Sequence, residues 1–304
     1  MRSSALSAVF NSIEKMEGTL PAKSSRPPLP WRSRPGVRFA IVTTQFDAHR
    51  QLIVEQFTRQ AIPFSQMPDH SPELILGAAR VGPADTVLDV ACGPGMLACA
   101  FAEVAQHVTG IDLTPAMIER AQALQQSHVR TNMAWRVGDV SPLPFPDASF
   151  SLVFTRYSFH HFLDPRAVLA EMVRVCRPGG RVVVVDVFTT SPQQAQAFNA
   201  MEKLRDPSHV RALSLEELAA LFAEARLENV RTQFYKHEFN LDQVLGGSFP
   251  DPGDAEKVRE LFVQDLGVDC LGLGACKNEE IIQFAYPIVI LAGEKRQAEI
   301  LTGR

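Results

Sequence analysis

The chain has 304 residues, 46% hydrophobic and 21% charged. That balance is ordinary for a globular protein and excludes a collagen-like, coiled-coil or wholly disordered chain. No segment approaches ~18 uncharged apolar residues, so no spanning helix is expected, and a formal net charge of −4 argues against a nucleic-acid partner.

Residues 1–42 carry seven basic and two acidic side chains, net +5, which leaves −9 on the remainder. The same stretch holds five prolines and seven serines. Such a segment cannot bury a core and is expected to be a disordered basic tail, with one folded domain over 43–304. It lacks the charged n-region and apolar h-region of a secretory signal. The five cysteines are odd in number and have no metal-ligand spacing. They predict neither a disulfide framework nor a metal site, and they fit a cytoplasmic protein.

Residues 49–61 read as an amphipathic helix. Thr86–Ala91 is a first strand, broken by Gly93-Pro94-Gly95 and followed by a helix from Met96 to Gln106. Val108–Asp112 is a second strand, and Pro115–Ser127 a helix with Thr114 as N-cap and Pro115 at its first position. Met133–Val137 and Ser151–Thr155 are the third and fourth strands, and Pro165–Cys176 a helix. Pro178-Gly179-Gly180 turns into a fifth strand, Arg181–Val187, apolar enough to be buried on both faces. The βαβα alternation predicts an α/β fold, a parallel sheet wrapped by helices on both sides. Ser214–Ala225 is a helix opened by a Ser214/Glu217 capping box. Asn229–Phe239 and Ile281–Leu291 are β-type runs. The long connection between them holds one helix, Asp254–Leu266, and such connections often serve as lids. Elements at about 45–75 and 240–280 are expected to cap a binding site.

The chemistry concentrates at the strand ends. A glycine-rich turn between strand and helix lets a ligand approach the backbone and meet the helix N–H groups. Gly93-x-Gly95-x-x-Ala98 fits a relaxed dinucleotide fingerprint, and Asp112, at the end of the second strand, can accept from both ribose hydroxyls. Both features suit NAD and S-adenosyl-L-methionine equally.

A third feature separates them. Val137-Gly138-Asp139-Val140 precedes a Leu143-Pro144-Phe145 turn, and His160-His161 and Arg177-Pro178-Gly179-Gly180 follow. With Val87–Gly95 and Gly110-Ile111-Asp112-Leu113, the sequence resembles the class I S-adenosylmethionine-dependent methyltransferases. Within them it resembles the ubiquinone/menaquinone biosynthesis-type enzymes that act on small molecules. The resemblance covers about residues 45–295. It implies a Rossmann-like sheet of seven strands in the order 3-2-1-4-5-7-6, the seventh antiparallel. It also implies S-adenosyl-L-methionine as cofactor and S-adenosyl-L-homocysteine as product. Gly93 and Gly95 would let the methionine part lie over the turn, with Asp89 orienting that turn from beneath. Ala91 and Thr155 would offer carbonyls to its ammonium. Asp112 would hold the ribose, and Leu113 and Met117 would pack on adenine. Asp139 would accept from the adenine amino group and the Val140 N–H would pair a ring nitrogen.

Methyl transfer from a sulfonium is an in-line displacement, so the protein mainly positions the reactants and excludes water. A base helps when the acceptor is a hydroxyl or N–H. Arg156-Tyr157-Ser158-Phe159-His160-His161 follows the fourth strand, at the ligand-binding edge of an open α/β sheet. His160 is the candidate base, and Tyr157 can attract the sulfonium through its ring. Phe57, Phe64, Arg156 and His161 are candidate contacts to the acceptor. The chain lacks the Asn/Asp-Pro-Pro-Tyr/Phe motif of methyltransferases that modify base amino groups. With the −9 body this favours a small-molecule acceptor, and the aromatic rim of Phe57, Phe64, Tyr157, Phe159, Phe162 and Phe249 points to an aromatic or heteroaromatic metabolite, with O-, N- and C-methylation all open. So is the choice between monomer and homodimer. His160-His161 stands where quinone enzymes usually carry Arg-Asn, which favours specialised metabolism over carbon methylation in quinone biosynthesis. A nicotinamide-dependent dehydrogenase and a non-catalytic cofactor-binding scaffold are the remaining alternatives. Removing residues 1–42 is expected to leave the melting temperature unchanged; a marked drop in a thermal melt would show that the segment packs on the domain.

Overall fold

The computed structural model describes residues 37–66 and 72–297, with side chains from residue 45 onward. Most of the expected tail, residues 67–71 and the last seven residues lie outside the described residues. The chain divides into two units, Met1–Val42 and Thr43–Arg304; apart from the first residues of α1, the second holds what is described below.

Its core alternates strands and helices: β1 Thr86–Val90, α3 Met96–Ala102, β2 His107–Asp112, α4 Pro115–Ser127, β3 Met133–Val137 and β4 Phe150–Arg156. A 3₁₀ turn at Phe159–His161, α5 Pro165–Val175 and β5 Cys176–Thr189 follow. Before the core come α1 Val37–Gln66 and α2 Pro72–Ala79. After it come α6 Pro192–Arg205, β6 Leu213–Ser214, α7 Leu215–Glu224, β7 Leu227–Asn240 and α8 Leu241–Gly247. The chain closes with α9 Asp254–Asp265, β8 Cys276–Asn278 and β9 Ile281–Lys295.

The sheet order is β3-β2-β1-β4-β5-β9-β7. β1 to β5 run parallel, and β9 is antiparallel to both β5 and β7. Counting only the long strands, this is the order 3-2-1-4-5-7-6 with a reversed seventh strand. A dehydrogenase of two βαβαβ halves would show a second parallel set instead. β6 adds to β5 and β8 to β9.

The two-residue strand period explains the core. Val183 and Val185 join Val87, Leu152 and Phe154 on one face of the sheet. Val182 and Val184 join Leu88, Val90 and Val153 on the other. All four valines are fully buried, each worth roughly 1.5–3 kcal/mol of transfer free energy.

Several boundaries differ from the sequence pattern. The helix after β1 stops at Ala102 because the Gln106 and His107 N–H groups turn to the Asp85 carbonyl, at 2.9 and 3.3 Å. β5 starts at Cys176, and the expected turn is a loop within it: Phe150 pairs with Cys176 and Leu152 with Arg181, with Gly179 left-handed at φ 73°. α1 is far longer than 49–61. α2, α6 and α8 were not anticipated. α6 carries the signal nonetheless, a Ser191 side-chain cap on the Gln194 N–H with Pro192 at its first position. The Ser214/Glu217 capping box forms as expected. Among the described residues no helix is long and apolar enough to cross a membrane.

The amino ends of the strands meet at Asp85. Its carboxylate accepts from the Gly82 N–H at 2.8 Å and the Ser151 hydroxyl at 2.6 Å, and it pairs with Arg181 of β5. Burial alone would raise its pKa, but these donors hold it below its ordinary value. The stability it contributes is therefore present above pH ~4 and lost as pH falls through the depressed value. Asp85→Ala should destabilise the fold by about 3 kcal/mol, since it strands a largely buried guanidinium. Chemical denaturation should show this gap at pH 7 and its narrowing toward pH 3.

Candidate functional site

A cavity of about 260 Å³ lies over the carboxyl ends of β1, β2 and β4, with Phe46, Arg50, Ile53 and Phe57 of α1 among its walls. β1 has β2 on one side and β4 on the other, so this is the topological switch point where open α/β sheets bind ligands. The cavity collects most of the residues expected to bind cofactor. Asp89, Ala91 and Gly93 come from β1 and its turn, Asp112, Leu113 and Met117 from β2 and α4, and Asp139 and Val140 from the loop after β3.

The glycine turn has two different jobs. Gly93 is left-handed at φ 55°, and a Cβ there would meet nothing within 4 Å. It leaves open space for a ligand. Gly95 is also left-handed, at φ 80°, but a Cβ there would stand 2.6 Å from Trp135 and 2.8 Å from Ala121. That glycine closes α3 onto β3 and α4 and does not line the cavity. Ala91 at φ 55° and Tyr157 at φ 53° are also left-handed. They follow the two central strands at the cavity rim, where strained backbone tends to be functional.

The carboxylate that holds the turn is Asp112. Its Oδ2 accepts from the Gly93 N–H at 2.9 Å and its Oδ1 from the Thr114 N–H at 2.8 Å. Asp89 is 2% exposed, and burial pushes its pKa up to about 8 against the pull of Arg156. Asp139 caps its own loop, accepting from the Val140 N–H at 2.6 Å and the Ser141 N–H at 3.1 Å, and its Oδ2 pairs with Arg50 of α1. The Thr155 hydroxyl donates to the Val90 carbonyl at 2.6 Å and meets Ser158 at 2.5 Å. It ties β4 to β1 instead of facing the cavity.

A second cavity of about 130 Å³ adjoins the first, and Phe57, Phe64, Tyr157 and His161 line both. Arg156 lines only the larger, with its guanidinium 5.1 Å from the Tyr157 ring. His160 lines only the smaller. The Tyr157 hydroxyl meets the Tyr235 hydroxyl at 2.7 Å and His237 Nδ1 at 3.0 Å.

The adjacent histidines differ sharply. His160 Nδ1 lies 2.6 Å from Asp186 Oδ1, and Asp186 is fixed by the Phe159 and Val187 N–H groups at 2.6 and 2.7 Å. Burial alone would lower the His160 pKa; the Asp186 carboxylate more than offsets it and raises it. His161 Nδ1 faces the Ser208 carbonyl at 3.1 Å, and burial plus the charge on His160 push its pKa down to about 3. One ring holds a proton more firmly than an ordinary histidine, and the other is a neutral hydrogen-bonding group.

Pattern reading missed Asp186, Arg50, Glu202, Arg205 and Tyr286. Asp186 did leave a signal, a lone acid in the apolar run Val182–Val187. Among the described residues no group of three His, Cys, Asp or Glu side chains is arranged to hold a metal ion.

Comparison with known proteins agrees with this geometry. Residues 88–184 match the methyltransferase domain family. The chain is 32% identical over 229 residues to YcgJ of Bacillus subtilis, described as an uncharacterized methyltransferase, covering 73% of this chain and 89% of YcgJ. The crystal structure of YcgJ superimposes with a TM-score of 0.68 over 75% of this chain and 99% of that one. The 27-O-demethylrifamycin SV methyltransferase of Amycolatopsis mediterranei is 34% identical over 158 residues, 51% of this chain and 58% of that enzyme.

The two glycines should respond differently to a methyl group. Gly95→Ala adds a clash to the left-handed cost, so it should destabilise by about 2–4 kcal/mol. Gly93→Ala should cost only about 1–2 kcal/mol. Equal losses in urea melts would contradict the division of labour.

Proposed function

The chain belongs to the class I S-adenosylmethionine-dependent methyltransferases, and from that premise we propose that it methylates a small aromatic or heteroaromatic metabolite seated against His160. The observation that carries this reading is the pair of adjoining cavities that share Phe57, Phe64, Tyr157 and His161. The larger has the walls a nucleoside-bearing cofactor needs, and the smaller has a histidine–carboxylate pair.

The residues fit S-adenosyl-L-methionine. Open space above Gly93 admits a ligand against the backbone. Asp112 uses one donor per oxygen, so each oxygen keeps a lone pair for a ribose hydroxyl. Leu113 and Met117 supply apolar cover for adenine, and Asp139 can exchange its Arg50 partner for the adenine amino group. When bound, the cofactor supplies a methyl group already activated on a sulfonium.

The chain's own residues do the rest. Tyr157 lines both cavities, with its ring beside the Arg156 guanidinium and stacked on His237. Nδ1 of His160 is engaged by Asp186, so Nε2 takes the proton of an acceptor O–H or N–H, and Asp186 stabilises the imidazolium. His161, with its pKa near 3, does not share that task and instead shapes the wall. α1 and the 240–280 segment cap the site, the latter through Val244 and Ser248.

The body from residue 43 onward forms one catalytic domain in this reading, with residues 1–42 outside the chemistry. Its five free thiols suit the cytoplasm. The likeness to the rifamycin-modifying enzyme supports a place in specialised metabolism.

Asp112→Ala should weaken S-adenosyl-L-homocysteine binding by ~1–3 kcal/mol in calorimetry, the range for buried groups left unsatisfied; unchanged affinity would refute the ribose assignment. His160→Ala should lower kcat by about 10²–10⁴ and leave that affinity intact. Because the base must be deprotonated, activity should fall as pH drops below the raised His160 pKa. Asp186→Asn removes the raising charge and should move that acid limb to lower pH.

A further inference from the structure

We infer that the smaller cavity admits a neutral, single-ring hydroxyaromatic and rejects carboxylates, with Glu202 as the residue that sets the choice; this rests on the smaller cavity being the acceptor site. Size gives the first constraint. Its volume of about 130 Å³ is close to the ~150 Å³ of an engineered apolar cavity that takes one benzene. Val187, Phe198, Phe239 and Ile288 supply apolar walls suited to one ring and short for two.

Polarity gives the second constraint. Glu202 is 3% exposed yet lines this cavity. Its Oε1 accepts from the Tyr286 hydroxyl at 2.7 Å. Its Oε2 accepts from Arg205 Nε at 2.9 Å and Nη2 at 2.6 Å. Arg205 Nη1 donates to the Ser248 hydroxyl at 2.9 Å. Burial and the neighbouring Glu202 charge keep the Tyr286 hydroxyl protonated. Three donors thus reach a carboxylate with room for about four. The remaining position, on Oε1, accepts a hydroxyl or ring N–H from a ligand.

Charge gives the third. The guanidinium of Arg205 is already turned into the wall. Asp206, 2% exposed, stays ionised against Ser208 and Gln60, while His161 is neutral. A protonated His160 is balanced by Asp186. Among the carboxylates and guanidinium that line the chamber, Glu202 and Asp206 therefore outnumber Arg205. A ligand carboxylate entering it meets the like charges of Glu202 and Asp206, which disfavours it. A neutral hydroxyl meets an open acceptor on Glu202 and the His160 base.

The test is calorimetry on the full chain saturated with S-adenosyl-L-homocysteine, with resorcinol, benzoate and 2-naphthol as probes. Resorcinol should bind, and benzoate and 2-naphthol at least about tenfold more weakly, the factor that corresponds to 1.4 kcal/mol. Glu202→Gln should narrow the gap between benzoate and resorcinol. Val187→Phe, which fills the chamber, should abolish resorcinol binding and leave the S-adenosyl-L-homocysteine affinity unchanged, a readout that does not depend on the Glu202 variant folding. Benzoate or naphthol binding as tightly as resorcinol, or no resorcinol binding at millimolar concentration, would overturn the inference. Failure of S-adenosyl-L-homocysteine itself to bind would instead overturn the reading beneath it.

Discussion

The carboxylate of Asp112 ties the ends of two parallel strands to one turn. One oxygen holds the Gly93 N–H and the other the Thr114 N–H, at 2.9 and 2.8 Å. Those two bonds set where the glycine turn stands over β1 and where α4 begins after β2. Register leads to this point: Val90 pairs with Ile111, the residue before Asp112. Thr155 secures the opposite side by donating to the Val90 carbonyl. The cavity is thus framed by backbone that the sheet already positions. Burial raises the pKa of Asp112 and its two backbone donors oppose that, so the same bonds that shape the turn favour the ionised form a ligand hydroxyl needs.

A single residue step along the chain then separates two chemical roles. His160 and His161 have ring centroids only 4.4 Å apart. One faces the Asp186 carboxylate and the other a neutral carbonyl. In a shared buried setting, that difference in partner outweighs everything else the rings have in common. Charge on His160 further suppresses charge on His161, so the pair cannot both be protonated near neutral pH. Asp186 sits within the carboxyl-terminal half of the most apolar strand, where backbone N–H groups fix both oxygens. A rigid carboxylate of this kind orients its histidine partner better than a surface one.

The parallel core was legible because its strands obey a two-residue period with valine and leucine on both faces, and because glycine, proline and capping residues mark the breaks. Asp112 and the glycine turn were legible for the same reason: local spacing places them. The division of labour between Gly93 and Gly95 was not, since it depends on Trp135, forty residues away in sequence. Asp89 lies in the same cavity wall as Gly93. The hydrogen bond to the Gly93 N–H comes from Asp112. Arg50, Glu202 and Tyr286 act through partners 89, 3 and 84 residues distant, and only the Glu202–Arg205 pair falls within one helix. The length of α1 escaped notice because Pro63 and scattered polar residues blur its periodicity.

The central proposal is that the cavity over Gly93 and Asp112 takes S-adenosyl-L-methionine and not a nicotinamide dinucleotide, whose glycine turn and ribose acid would look alike in sequence. Isothermal titration of the full chain with S-adenosyl-L-homocysteine and, separately, with NAD tests it most directly. Stoichiometric binding of S-adenosyl-L-homocysteine with no heat from NAD is the result predicted. Saturable binding of NAD with none of S-adenosyl-L-homocysteine would contradict it.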